Sequence, residues 1–305
     1  MRYPLGLLLL LTAILIGACD GPPEQSAVAP NTDGPVYRIG YMICNNKEET
    51  LGRFAPLTAL LSQRLRVRLE PLAIDTLEFT SRINELDFTH TNSLLYIMLH
   101  RFHAVEVLAV EKRGELGDRS RGIIAALKKS GIETLDDLRG KSMIFGPMLA
   151  PTSYLSQLYV LKQNGIDIDR DLAIYNFPRG SYKHEKVIYG VYFGRYDAGA
   201  FPYYDYEIMI KQGKIDEDDF TVLAEGPLIP YCNFAYTQKV DPDFAKRFQQ
   251  ALLAITSEDT VEIDGQRVRV LERAQLDGFS AAKDSDFDIV RQMAKETNMP
   301  PYQRY

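Results

Sequence analysis

The chain has 305 residues, a formal net charge of −6 at pH 7, and 46% hydrophobic and 25% charged residues. That balance is ordinary for a globular protein and leaves room for about two lobes. With an acidic total and no basic cluster along a face, nucleic acid is excluded as a partner; anionic ligands are not, because helix ends and backbone N–H groups make a pocket locally positive.

At the front, Arg2 precedes an apolar run over residues 7–16 broken only by Thr12, and Ile16-Gly17-Ala18-Cys19 follows. Such a segment resembles a bacterial lipoprotein box, which implies a signal peptide over residues 1–18 and a lipid on the Cys19 sulfur. The alternative is an ordinary secretory signal cleaved near Ala18 that leaves Cys19 as a thiol. The run is shorter than the roughly 20 residues of a spanning helix, so lipid chains rather than peptide would hold the protein. Asp20 resembles a signal for retention on the inner membrane, so the expected location is the bacterial cell envelope, lipid-anchored on the periplasmic face of that membrane. Residues 21–35, rich in Pro, Ser, Asn and Gly, complete a flexible tether over 19–35. Cys44 and Cys232 remain, in an oxidising compartment. They either join, stay apart as two partly buried thiols, or bind a soft ligand.

Beyond the tether, strand-like and helix-like segments alternate, which predicts an α/β fold with mostly parallel sheets. Residues 37–42 read as a strand, Pro56 as the first turn of a helix to 65, and 67–72 as a second strand. Thr76 is a candidate cap for a helix with Phe79, Ile83 and Leu86 on one face; a short strand follows at 88–91, a helix to 101 and a strand at 104–110. The charged run 114–121 reads as a crossing to a second lobe, with Pro227 and Pro230 marking the return. The expected division is lobe 1 over 36–120, lobe 2 over 121–226, and a return segment with C-terminal helices over 227–305. Within lobe 2, residues 122–127 fit helix or strand. Thr134 is placed to cap 135–139, and 142–145 is a strand. Thr152 or Ser153 opens a helix ended by Asn164-Gly165, then come a strand at 173–177, a helix at 184–193 and strands at 196–200 and 220–224. Asp241 or Asp243 begins a helix through 253, and Asp284 or Asp286 begins the last one through 297.

There is no nucleotide loop, no Gly-x-Ser-x-Gly elbow and no His-Glu-x-x-His pair. His90, His100, His103 and His184 show no metal spacing, so neither metal nor cofactor is expected. Cys44 with His90 or His184 is the nucleophile and base that an enzyme reading would need, and the expectation is that the protein is not an enzyme. The sharpest local feature is residues 145–155, a strand, a loop and two hydroxyl residues at a helix start. Free N–H groups, the helix dipole and the Thr152 and Ser153 hydroxyls suit an anion there; plain N-capping is the bland alternative.

The strings TLDDLRGK at 134–141, IFG at 144–146, TSYL at 152–155, LKQNGID at 161–167, GSYKH at 180–184 and GRYDAGA at 194–200 form one ordered set. With GY at 40–41, FAPL at 54–57 and DFTHTNSLLY at 87–96, they resemble the phosphonate and phosphate binding proteins of ABC importers, over residues 37–255. The resemblance implies an α/β, two-lobe, type 2 periplasmic binding protein fold that shuts around a tetrahedral oxyanion. By matched position, Thr152 and Ser153 donate to the anion, His184 faces it, Tyr96 reaches it from the first lobe, Tyr41 and Asn92 line the cleft, and Tyr203 or Tyr204 supplies a further contact. Ala150 and Pro151 stand where the family has hydroxyl residues, so two donors of the usual set are missing. The implied protein is a monomeric, membrane-anchored solute-binding protein taking phosphonate, phosphate or phosphite to an ABC permease. The segment THTN at 89–92 also resembles sensor versions that serve a histidine kinase. A structural lipoprotein, its cleft filled by side chains, is the other alternative. For Cys44 and Cys232, placed near the cleft, a disulfide is the first expectation and a thiophilic oxyanion such as arsenite the second.

Overall fold

The computed structural model describes residues 34–304, so the signal, Cys19 and most of the tether lie outside the described residues. The first lobe starts with β1 (Val36–Met42), α1 (Lys47–Leu65), β2 (Arg68–Ile74), α2 (Phe79–Arg82), β3 (Phe88–Thr91), α3 (Ser93–His103) and β4 (Glu106–Lys112). The chain crosses through β5 (Arg119–Ser120) into β6 (Gly122–Leu127), β7 (Ser142–Phe145), α4 (Ser156–Gln163), α5 (Ile168–Asp171), β8 (Ile174–Asn176), α6 (Lys183–Tyr192), β9 (Ala198–Pro202), α7 (Tyr203–Lys211) and β10 (Phe220–Glu225). It returns through β11 (Ile229–Pro230) to β12 (Asn233–Tyr236), α8 (Pro242–Leu253), β13 (Thr260–Ile263), β14 (Gln266–Arg269), α9 (Val270–Ala274), β15 (Gly278–Ala281) and α10 (Asp288–Glu296).

Two main sheets result, one of six strands in the order β15-β4-β12-β3-β1-β2 and one of five in the order β10-β6-β9-β7-β8; both are mixed and not mostly parallel as expected, because β12 and β15 in the first and β6 in the second run against their neighbours. The two crossing segments pair with each other, Ile229 opposite Ser120, so a short antiparallel ribbon joins the lobes. Helix α10 packs on α3 of the first lobe and α4 of the second. One apolar core accordingly runs from Leu94 and Leu95 through Phe287 and Val290 to Phe145 and Leu155. Among the described residues no helix is long and apolar enough to cross a membrane.

Local chemistry accounts for most element ends, and it corrects several expectations. Helix α1 begins nine residues before Pro56, because Asn46 caps it by accepting from the Glu49 N–H at 2.8 Å. Pro56 lies inside and cannot donate to the carbonyl of Gly52 four residues back; Arg273 Nε donates to that carbonyl instead, at 3.2 Å. Thr76 caps nothing: Asp75 accepts from the Leu77 N–H and the helix beyond is four residues long. Thr134 acts as a donor to Asp137, over a single 3₁₀ turn at Asp136–Leu138. The strand expected at 104–110 starts two residues later, because Ala104 adopts a left-handed conformation at the end of α3. Asp241 does cap α8, with Pro242 in its first turn. The last helix is a 3₁₀ turn at Asp284–Phe287 followed by α10.

Candidate functional site

Strands β1, β3 and β4 run in one direction, so their carboxyl ends share one edge of the first sheet; β7, β8 and β9 share an edge of the second. Open α/β sheets gather their ligands at such edges. The loops leaving the two edges meet strand by strand. Beyond β1, the Asn45 carbonyl accepts from Ser181 Oγ at 3.0 Å and its Oδ1 from the Tyr182 N–H at 3.1 Å, in the loop beyond β8. Beyond β3, Asn92 Nδ2 donates to the Leu149 carbonyl, beyond β7, at 3.1 Å. Beyond β4, the Arg113 guanidinium lies 5.1 Å from the ring centres of both Tyr204, beyond β9, and Tyr231.

Thr152 and Ser153 do not cap a helix, as their position suggested. Ala150 is the cap residue, Pro151 opens the turn, and Pro151–Leu155 form one wide π turn that leads into α4. The N–H groups of Thr152 and Ser153 have no carbonyl behind them within that turn, as at any helix start. Ser153 is fully buried against Gly146, and its hydroxyl finds no partner among the described residues. A Cβ on Gly146 would stand 2.1 Å from that hydroxyl, so glycine is required for the close approach. His184 stands in the first turn of α6 with a buried, unpartnered Nδ1. Just ahead of it Tyr182 holds φ 53° and ψ 47°, a left-handed conformation that costs a non-glycine residue about 1–2 kcal/mol.

The remaining expected contacts divide. Asn92 caps α3 through Oδ1, accepting from the Leu95 N–H at 2.9 Å, while its amide hydrogens go to Leu149 and to Met42 Sδ. Tyr204 reaches the edge beside Arg113; Tyr203, its neighbour, packs into the outer core of the second lobe near Arg121. Tyr41 does not line the cleft. It points from β1 into the core under α1, stacked on Phe54 with its hydroxyl 2.8 Å from Thr58 Oγ1, and burial pushes that hydroxyl's pKa up. Tyr96 is also removed from the ligand face: it is fully buried against Phe287 and donates to Asp284 Oδ1 at 2.8 Å. Burial first, and that carboxylate second, raise its pKa.

Cys44 and Cys232 are free thiols, which corrects the expected disulfide. They follow β1 and precede β12, with β3 between those strands, and they lie near enough for the Cys44 charge to bear on Cys232. Cys44 is open to solvent yet closely surrounded. Burial, with Glu111, Asp205 and Glu49 reinforcing it against Arg113, pushes its thiol up to about 11. Such a thiol is protonated at neutral pH and is a poor nucleophile.

Sequence reasoning missed Glu111 and Arg113. Glu111 is buried, with Oε1 2.7 Å from His90 Nε2 and Oε2 3.9 Å from Arg113 Nη2. Arg113 also donates to the Tyr231 hydroxyl at 3.1 Å. The available signal was their place, at and just beyond the end of the most continuous strand of the first half. Asn45 was missed as well; a polar residue just past a strand end carries no mark of its own.

Two α/β lobes meeting at the carboxyl ends of their strands define a periplasmic binding protein of the type 2 fold. The family described as "ABC transporter, phosphonate, periplasmic substrate-binding protein" matches residues 39–287, and the chain belongs to that family. Among solved structures, PhnD1 of Prochlorococcus marinus (MIT 9301), in complex with methylphosphonate, is 16% identical with a TM-score of 0.69, over 86% of this chain and 98% of that one. A binding protein component of the ABC phosphonate transporter of Pseudomonas aeruginosa is 18% identical with a TM-score of 0.68, over 87% of each chain. A Xanthomonas citri protein bound to ATP is 19% identical with a TM-score of 0.70, over 87% of this chain and 98% of that one. At these identities the three show a shared fold.

Proposed function

We propose that the chain captures a small oxyanion, a phosphonate, phosphate or phosphite, between its lobes and delivers it to an ABC permease, acting as a binding protein and not as an enzyme. The observation that carries this reading is the pair of second-lobe starts at residues 151–155 and 183–184. Each start offers backbone N–H groups, and with them the first has the buried Ser153 hydroxyl and the second His184 Nδ1, both without a partner among the described residues. A buried polar atom without a partner costs about 1–3 kcal/mol, and an anion accepting from several such groups removes that cost. Asn92 bonds to Leu149, two residues ahead of the first start, and Tyr204 packs on Arg113 where the loops of the two edges meet. Ala150 and Pro151 lower the number of donors below the family's usual set, so the affinity rests on fewer bonds.

The test is a titration of the chain from residue 20 onward with methylphosphonate, inorganic phosphate, phosphite, sulfate, arsenate and arsenite, followed by thermal unfolding. A ligand at a hundred times its dissociation constant adds about 2.7 kcal/mol, a clear rise in Tm. Ser153→Ala is expected to weaken binding roughly tenfold, the loss of one bond to a charged group. If all six anions leave Tm unchanged, the oxyanion reading is wrong.

We further propose that Cys19 carries the lipid that holds the protein on the periplasmic face of the inner membrane, through a tether ending near residue 35. The observation behind it is the small-residue stretch directly against the cysteine. Metabolic labelling with a fatty acid is expected to mark the wild type and not Cys19→Ser; equal labelling of both would remove the anchor.

A further inference from the structure

The two asparagines at the first-lobe edge share a design. Each has one end of its amide fixed within its own lobe and the other end spent on backbone of the opposite lobe. Asn45 donates through Nδ2 to Glu49 Oε1 at 2.9 Å, which orients Oδ1 toward the Tyr182 N–H. Asn92 accepts through Oδ1 from the Leu95 N–H, which orients Nδ2 toward the Leu149 carbonyl. The backbone groups they hold lie directly ahead of the two anion-facing starts: Leu149 is two residues before the π turn at Pro151–Leu155, and Tyr182 is the residue before α6. Ser181 Oγ adds a third bond to the Asn45 carbonyl. Once the lobes separate, none of these bonds survives, and the left-handed Tyr182 loses the partner of its N–H.

We infer that Asn45 and Asn92 are closure clasps, positioning residues that hold the lobes together and set the Thr152–Ser153 turn and His184 in place for the ligand. The clasps rest on the oxyanion reading only for the identity of that ligand. Their first consequence is independent of it: they bias the empty protein toward the closed arrangement, because they join protein to protein.

The experiment compares Asn45→Ala, Asn92→Asp and the double variant with the wild-type chain. Asn92→Asp keeps an acceptor for the Leu95 N–H and so keeps the helix cap, while placing a carboxylate oxygen against the Leu149 carbonyl. Three readouts are taken: amide hydrogen exchange at Tyr182 and Leu95, small-angle scattering of the ligand-free protein, and affinity for methylphosphonate and inorganic phosphate. Expected are faster exchange at Tyr182 in Asn45→Ala, unchanged exchange at Leu95 in Asn92→Asp, a larger radius of gyration in the double variant, and a dissociation constant raised about tenfold for whichever probe binds. Unchanged Tyr182 exchange and an unchanged scattering curve in the double variant would overturn the clasps. Should neither probe bind the wild type, exchange and scattering still decide the clasps, and the oxyanion reading stands or falls separately with the six-anion titration.

Discussion

Gly122→Ala is expected to destabilise the protein by about 3 kcal/mol and to disturb the Pro151–Leu155 turn at the same time. Gly122 opens β6 and passes directly beneath that turn. A Cβ there would stand 1.6 Å from Gln157 Nε2 and 2.0 Å from the Thr152 carbonyl oxygen. The first neighbour is a fully buried side chain and the second is backbone, so neither yields by a simple rotamer change. The glycine carbonyl also accepts from the Gly226 N–H at 2.8 Å, which pins the strand from its other side. The turn must therefore lift, and Thr152 and Ser153 with it. Gly52→Ala, inside α1, is the contrast: its Cβ would meet nothing nearer than Arg273 Nη2 at 3.8 Å, and alanine in a helix gains about 0.5–1 kcal/mol over glycine. Urea unfolding of the two variants against the wild type checks both signs. A wild-type midpoint for Gly122→Ala would show that β6 and the turn are not in contact.

What the sequence made legible was local. The strand at 142–145, the loop after it and the helix ended by Asn164-Gly165 follow from residue pattern and turn chemistry, and Asp241 with Pro242 marks its helix by the same means. Asp264-Gly265 is a signal of the same kind: both take positive φ and close the β13–β14 hairpin. The site was less legible because it depends on direction and distant pairing. Tyr41 sits near the end of β1, but alternation along the strand aims it at α1 while Met42 faces the other way. Tyr96 faces Asp284 and Phe287, nearly two hundred residues away, and nothing in the sequence around Tyr96 announces that pairing. A matched family position transfers a place along the chain; the side chain's face follows from packing. Thr152 and Ser153 stand out in the sequence because a helix start carries N–H donors whatever the side chains do.

Removing the Glu111 carboxylate with Glu111→Ala is expected to cost about 1–3 kcal/mol, the usual loss when a buried hydrogen-bonding group is left without its partner. Glu111 reaches across β12 to His90, whose ring is enclosed by Phe54 at 4.6 Å, Phe234 at 4.7 Å and Tyr41 at 5.6 Å. That enclosure offers His90 Nε2 no second acceptor, and its Nδ1 already lacks one among the described residues. Arg113 loses its nearest carboxylate as well, though Tyr231 and Tyr204 still hold it. Glu111→Gln, which keeps an acceptor without the charge, is expected to lose less than half as much. A second readout separates the electrostatic role from the packing role. Glu111 raises the pKa of the Cys44 thiol, so its deletion favours the thiolate and moves that midpoint down from about 11. Iodoacetamide modification of Cys44 followed against pH should then start at lower pH in both variants, including the well-packed glutamine. Unchanged thiol titration together with wild-type stability would mean that Glu111 neither holds His90 nor acts on Cys44.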